Sequence, residues 1–197
     1  MVYNVGMELK EFVSFLLDSL KILLIALAIV IPIRLLLFQP FVVKGDSMEP
    51  NYHSGDYLVI DELSYRLRDP QRGEVIVFKY PLDTSLRYIK RIIGLPGETI
   101  QLTGGEVSVS RAGATPTKID ESTYINDTTR AAWNNMLDYG PITLKSHEYF
   151  VMGDNRNFSS DSRVWGVLPT QDITGRVLLR ISLFEIISNA INRPATN

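Results

Sequence analysis

The chain has 197 residues, 45% of them hydrophobic, and its 20 Lys plus Arg against 22 Asp plus Glu give a formal net charge of −2. That length suits one domain with or without an appendage, and the content of Gly and Pro excludes a collagen-like or low-complexity chain. A near-neutral balance offers no electrostatic footprint for a polyanion, so no nucleic-acid partner is expected; the absence of Cys excludes disulfides, thiol catalysis, Fe–S clusters and Cys-rich zinc sites. With only two histidines, His53 and His147, neither a metal nor another cofactor is expected.

Residues 20–38 read LKILLIALAIVIPIRLLLF, with Lys21 and Arg34 as the only charges. At 1.5 Å per residue this run spans about 28 Å, close to the hydrocarbon thickness of a bilayer. Pro32 can kink such a helix and Arg34 can snorkel to the nearer interface, so neither disqualifies it. A buried core helix is the competing reading. A cleaved signal peptide is disfavoured, because the small-x-small sequence Ala26-Leu27-Ala28 lies inside the apolar run rather than after it. The expected organisation is therefore a cytoplasmic segment 1–19, a transmembrane signal anchor 20–38 and an extracytoplasmic domain 39–197. The orientation rests on a weak positive-inside signal from Lys10 and Lys21.

Beyond Pro40 the pattern becomes strand-like. Short apolar β runs fall at 41–43, 57–60, 74–78, 88–93, 99–102, 106–109, 149–152 and 176–180, punctuated by Asp69-Pro70, Leu95-Pro96-Gly97, Gly104-Gly105 and Gly153-Asp154. The predicted fold is mainly β, an antiparallel sandwich or barrel-like domain behind one N-terminal transmembrane helix. Residues 111–145 are polar and weakly patterned, and read as a variable excursion from the β core.

Gly45-Asp46-Ser47-Met48-Glu49-Pro50 follows the first β run. A Gly near a Ser at a tight turn lets the Ser present its Oγ to a cleft, although Gly-x-Ser is also ordinary loop composition. A serine nucleophile needs a base. Counting alone leaves His53 and His147 open, but neither sits in a strand-like apolar setting. In an 88–93 strand, Tyr88, Lys90 and Ile92 share one face, while Ile89, Arg91 and Ile93 share the other. Lys90 thus falls between two large apolar side chains. At an ordinary pKa only about one lysine in 2,500 is neutral at pH 7, so a lysine base requires this kind of desolvation. The bland alternative is a lysine snorkelling over a sheet edge. Arg91 reads as a structural or surface cation.

The stretch 152–163, MGDNRNFSSDSR, packs polar residues between two apolar segments, as in a loop stitched by side-chain hydrogen bonds. Its carboxylates miss the alternating positions of a calcium loop, and Asp161 with Arg163 can form a charge-assisted pair.

Taken in order, the anchor, GDSMEP (45–50), SGDYLV (54–59), RGEVIVF (72–78), YIKRIIGLPGE (88–98) and GDNRNFSSDSR (153–163) resemble the bacterial type I signal peptidases. The resemblance extends to about Pro169 and spares mainly 111–145. It implies a membrane-anchored serine endopeptidase that removes N-terminal signal peptides after small-x-small motifs. Ser47 would be the nucleophile and Lys90 the general base. Ser159 would orient the lysine, Asp161 and Arg163 would brace the site together with Asp154, and Phe41, Val43, Met48, Tyr88 and Ile89 would line the substrate cleft. The implied partners are secretory preproteins and the lipid bilayer, with no obligatory protein partner. The implied location is a bacterial-type cell membrane or internal energy-transducing membrane, with the catalytic domain on its outer face. Gly45 departs from members that carry Ser there as an oxyanion donor, which leaves the Ser47 amide for that task. Two rival readings are a soluble-type, self-processing Ser-Lys protease and a non-catalytic membrane-anchored β module.

Overall fold

The computed structural model describes residues 5–36, 38–125 and 138–182, and the chain divides into two compact units, Met1–Gln39 and Pro40–Asn197. In the first unit a single helix, α1, runs over Val5–Leu36. The stretch long and apolar enough to cross a bilayer is Lys10–Val30, and none of it is buried. Phe15 and Ile22 are 67% and 68% exposed. A core helix would hide these side chains, so the core-helix reading fails and hydrocarbon is the solvent they suit. Helix α1 begins upstream of the expected 20–38 run and ends at Leu36. Upstream, Phe12, Val13, Leu16 and Leu17 continue the apolar helical spacing. Downstream, Pro40 disfavours helix at Gln39, and Phe38 already opens a strand.

In the second unit two antiparallel sheets form. Strands β1 (Phe38–Val42), β2 (Tyr57–Asp61), β3 (Val75–Tyr80), β4 (Asp83–Gly94), β9 (Glu148–Met152), β10 (Leu168–Pro169) and β11 (Ile173–Ile181) make a seven-stranded sheet in the order β1-β2-β11-β3-β4-β9-β10. Strands β5 (Glu98–Thr103), β6 (Glu106–Arg111), β7 (Thr117–Lys118) and β8 (Tyr139–Thr143) make a four-stranded sheet in the order β7-β6-β5-β8. Each expected β run contributes to a strand, so the mainly β antiparallel fold is as predicted.

Strand β3 explains why 74–78 reads as an unbroken apolar run: Val75, Ile76, Val77 and Phe78 are all buried, because both faces of the sheet are covered. On one face Val75, Val77 and Ile89 pack with Val43, Met48, Leu58 and Ile60. On the other, Ile76, Phe78 and Ile92 pack with Tyr149, Val151 and Leu168. A third cluster joins the sheets, with Ile93, Phe150 and Met152 meeting Ile100, Leu102, Val107 and Leu144. The β4–β5 corner is clamped by Glu98, whose two oxygens each accept from Arg72 Nη2 at 2.7 Å and one of which also accepts the Leu95 N–H at 2.9 Å.

The excursion reading of 111–145 needs correction. Its described parts supply β7, β8 and the buried side chains Ile119, Ile125 and Leu144, while 126–137 lie outside the described residues. The apolar residues there are too sparse to show a period, yet each fills a place in the core.

Candidate active site

Ser47 and Lys90, 43 residues apart in sequence, meet: Lys90 Nζ lies 2.6 Å from Ser47 Oγ and donates at 2.8 Å to Ile89 O. Two local structures make this possible. After β1, Gly45 adopts φ +86°, in the left-handed region, and turns the chain back. The turn closes with Glu49 N–H on Asp46 O and Tyr52 N–H on Met48 O. The left-handed backbone at Gly45 is also a physical reason for Gly there, since a Ser would be strained. Strand β4 presents Lys90 opposite Ile76 and in line with Tyr88 and Ile92, on the face predicted by alternation. Its ammonium sits 5.5 Å from the Tyr88 ring centroid.

Lys90 is only 3% exposed. Burial pushes its pKa down to about 8, with a smaller push from Arg163, against the pull of Asp161 and Asp154. At that value roughly a tenth of the lysine is neutral at pH 7. The snorkelling alternative is excluded by this burial.

The loop 153–163 packs against the pair. Asp161 is bidentate with Arg163, Nε and Nη2 each at 2.8 Å, and accepts the Gly153 N–H at 3.0 Å. It also caps the short helix α2 (Ser162–Trp165). Burial alone would raise the Asp161 carboxyl, but Arg163 and the Gly153 amide outweigh it and hold the pKa below the usual range. Asp154, fully buried, takes Arg91 Nε at 2.8 Å and Nη2 at 2.6 Å, and Asn51 Nδ2 at 2.8 Å. Asn155 reaches the nucleophile turn directly, its N–H on Ser47 O at 3.0 Å and its Nδ2 on Asp46 O at 3.0 Å. Ser159 Oγ is shielded from solvent and turned to Asp161, whose carboxyl it helps to hold down, and it makes no hydrogen bond to Lys90 here.

Gly153 has no room for a side chain, because a Cβ would collide with Ser47 O and with Ser159. Gly153→Ala is expected to displace the Ser47 turn and lower kcat about 10- to 100-fold in a folded protein, checked by single-turnover cleavage.

A cleft of about 550 Å³ opens over the pair. One wall carries Phe41, Val42 and Lys44; the other carries Leu86 to Ile89 of β4, with Phe158 and Ser160 at the rim. Phe41 and Tyr88 line the cleft; Ile89 borders it, but it is only 4% exposed and packs in the core. Val43 and Met48 do not line it: at 1% and 0% exposure they belong to the core with Leu58 and Val77. Met48 follows Ser47, and the turn that aims Ser47 outward aims its neighbour inward.

Arg91, read only as a structural or surface cation, is the half-buried partner of the buried Asp154 and lies 4.1 Å from the Tyr124 ring. Its place opposite Lys90 on an apolar strand was a usable signal, since a cation there needs a carboxylate. Asn155 lay within the 153–163 motif without an assigned role, while Asn51 and Glu121 were missed, because their polar surroundings carry no pattern to reveal them.

Residues 16–182 match the model of the family "Signal peptidase, peptidase S26". The chain belongs to this family. It is 37% identical over 166 residues to a probable signal peptidase I-2 of Synechocystis sp., covering 81% of this chain and 70% of that relative. It is 34% identical over 175 residues to a signal peptidase I of Leptolyngbya laminosa, covering 85% and 80%. A crystal structure of a signal peptidase I from Enterococcus faecalis V583 matches at 29% identity and a TM-score of 0.44, over 57% of this chain and 98% of that one. The peptidase is a hydrolase, and α1 fits membrane anchoring.

Proposed function

We propose that this signal peptidase cleaves preproteins through a Ser47–Lys90 dyad. The observation that carries the proposal is the 2.6 Å contact between Ser47 Oγ and a buried lysine whose pKa lies near 8. Neutral Lys90 takes the Ser47 proton as Oγ attacks the scissile carbonyl, then returns it to the leaving amine; water, activated by the same lysine, hydrolyses the ester. Among the described residues the Ser47 N–H donates to no protein acceptor, which leaves it free for the oxyanion. Ser159, whose Oγ is shielded beside Gly153, is assigned to orient Lys90, and Asp161–Arg163 and Asp154–Arg91 hold its surroundings.

The substrate side follows from β4. Its described pairing with β9 covers only Arg91, Ile92 and Gly94, so the same edge of Ser85 to Lys90 is open along the cleft. An extended substrate can add there as a strand, with Phe41 and Tyr88 bounding shallow apolar pockets that suit small side chains. Anchoring by α1 keeps the enzyme in the membrane that also holds the substrate's apolar segment, which raises effective concentration. We place the N-terminus in the cytoplasm and the β unit on the trans face.

The test is cleavage of a defined preprotein by the purified full chain in detergent, with product mass giving the bond cut. The rival of a non-catalytic β module is excluded by any Ser47-dependent cleavage. Because the neutral lysine is the active form, kcat/KM is expected to rise about tenfold per pH unit below pH 8 and level off above it. A flat profile between pH 6 and 9 would remove Lys90 as the base.

A further inference from the structure

The described residues hold one ion pair with both side chains only 1% exposed, Glu121–Arg156. Glu121 comes from the segment after β7, far in sequence from every catalytic motif. Arg156 Nη1 donates to Glu121 Oε2 at 3.3 Å, and Arg156 Nη2 donates to Oε1. Tyr124 OH donates to the same carboxylate at 2.9 Å. The rest of the guanidinium points at the catalytic loop, with Arg156 Nε donating to Gly153 O at 3.0 Å. Arg156 O in turn accepts Arg163 Nη2 at 2.7 Å.

Gly153 is packed against Ser47 O and Ser159 without space for a Cβ. Its N–H is held by Asp161 and its C=O by Arg156. Whatever fixes the Arg156 guanidinium therefore fixes one side of the peptide group on which the Ser47 turn rests. The segment is tied to the site a second time, since Asn51 Nδ2 donates to both Tyr124 O, at 2.7 Å, and Asp154 Oδ2, at 2.8 Å, while Arg91 stacks on the Tyr124 ring.

We infer that Glu121 is a positioning residue for the dyad: through Arg156 it holds Gly153, and thereby the Ser47 turn, in the geometry that cleavage requires. The inference rests on the dyad assignment, whose own failure is read from Ser47 and Lys90 variants and not from the variants below. A buried carboxylate is a costly way to fill a core, and a pair of apolar side chains of similar volume commonly serves stability as well or better. The chain's use of a charge pair under the catalytic loop is explained by the direction the guanidinium gives to Gly153 O, which an apolar pair cannot supply.

That contrast defines the experiment. The full chain is purified in detergent as Glu121→Ala, as Glu121→Asp and as the double variant Glu121→Leu/Arg156→Met, and melting temperature, kcat and KM for a preprotein are measured. Glu121→Ala is expected to lose kcat 10- to 100-fold with KM changed less than threefold, and to melt lower because Arg156 is left without its carboxylate. Glu121→Asp is expected to regain part of kcat. The double variant is the deciding case, since it removes both buried charges and keeps the protein folded. Wild-type melting with kcat still at least 10-fold down supports the positioning role. Wild-type melting together with wild-type kcat would overturn it and leave the pair a matter of stability alone, as would an effect confined to KM.

Discussion

Ser47→Ala and Lys90→Ala are each expected to lower kcat for preprotein cleavage on the order of 10⁵-fold or more, and the double variant is expected to lose no more than either single one. The reasoning is that nucleophile and base act as one unit. Without Lys90, Ser47 Oγ has no base in reach among the described residues, where its one side-chain hydrogen bond is to Lys90 Nζ at 2.6 Å. Without Ser47, the neutral lysine has nothing to activate. Removing either therefore leaves only oxyanion and binding contributions, which the second removal cannot reduce further. Additive losses would show that the two side chains do not share a step. Neither variant should unfold the β unit, because Ser47 is half-buried at the cleft and the core clusters contain neither residue.

Lys90→Met is expected to be inactive and yet more stable than the parent, by up to about 3 kcal/mol at pH 7. The folded pKa of about 8 lies below the ordinary 10.5, so the unfolded chain binds more protons between those values. Stability of the parent must then rise with pH from about 8 to 10.5. Below pH 8 both states are charged and the full cost of burying the ammonium is carried. Met fills a similar volume without that cost. The gain of the variant should therefore be largest at pH 7 and shrink as pH approaches 10.5, read from denaturant midpoints of both proteins at several pH values. A stabilisation that does not change with pH would trace to packing rather than to a desolvated lysine. The trade is that of an active-site group kept in an unfavourable environment because catalysis needs its neutral form.

Much of the architecture was legible before folding. Strands such as β3 and β5 announce themselves by apolar runs between Gly and Pro turns, and alternation alone placed Lys90 with Tyr88 and Ile92. The family resemblance of ordered motifs then proposed the partner for that lysine, which alternation could not. The misreadings have a common origin. The family resemblance puts Val43 in the cleft, and Met48 there as the neighbour of the nucleophile, whereas the turn at Gly45 and the closing of the core around Leu58 send both inward. The 111–145 stretch was set outside the core because its few apolar residues, Ile119, Ile125 and Leu144, have no period.

The absence of cysteines excludes thiol and Cys-based chemistry, the near-neutral charge offers no footprint for a polyanion, and the break in hydropathy near residue 38 separates an apolar anchor from a β unit. These are local properties, carried by residue type and spacing, and the chain determines them without folding. Whether Lys90 is neutral enough to act, whether Ser47 lies beside it, and whether Glu121 supports both are decided only by tertiary structure. Each depends on desolvation or on contacts between residues tens of positions apart, and neither quantity exists until the sheets close over the site.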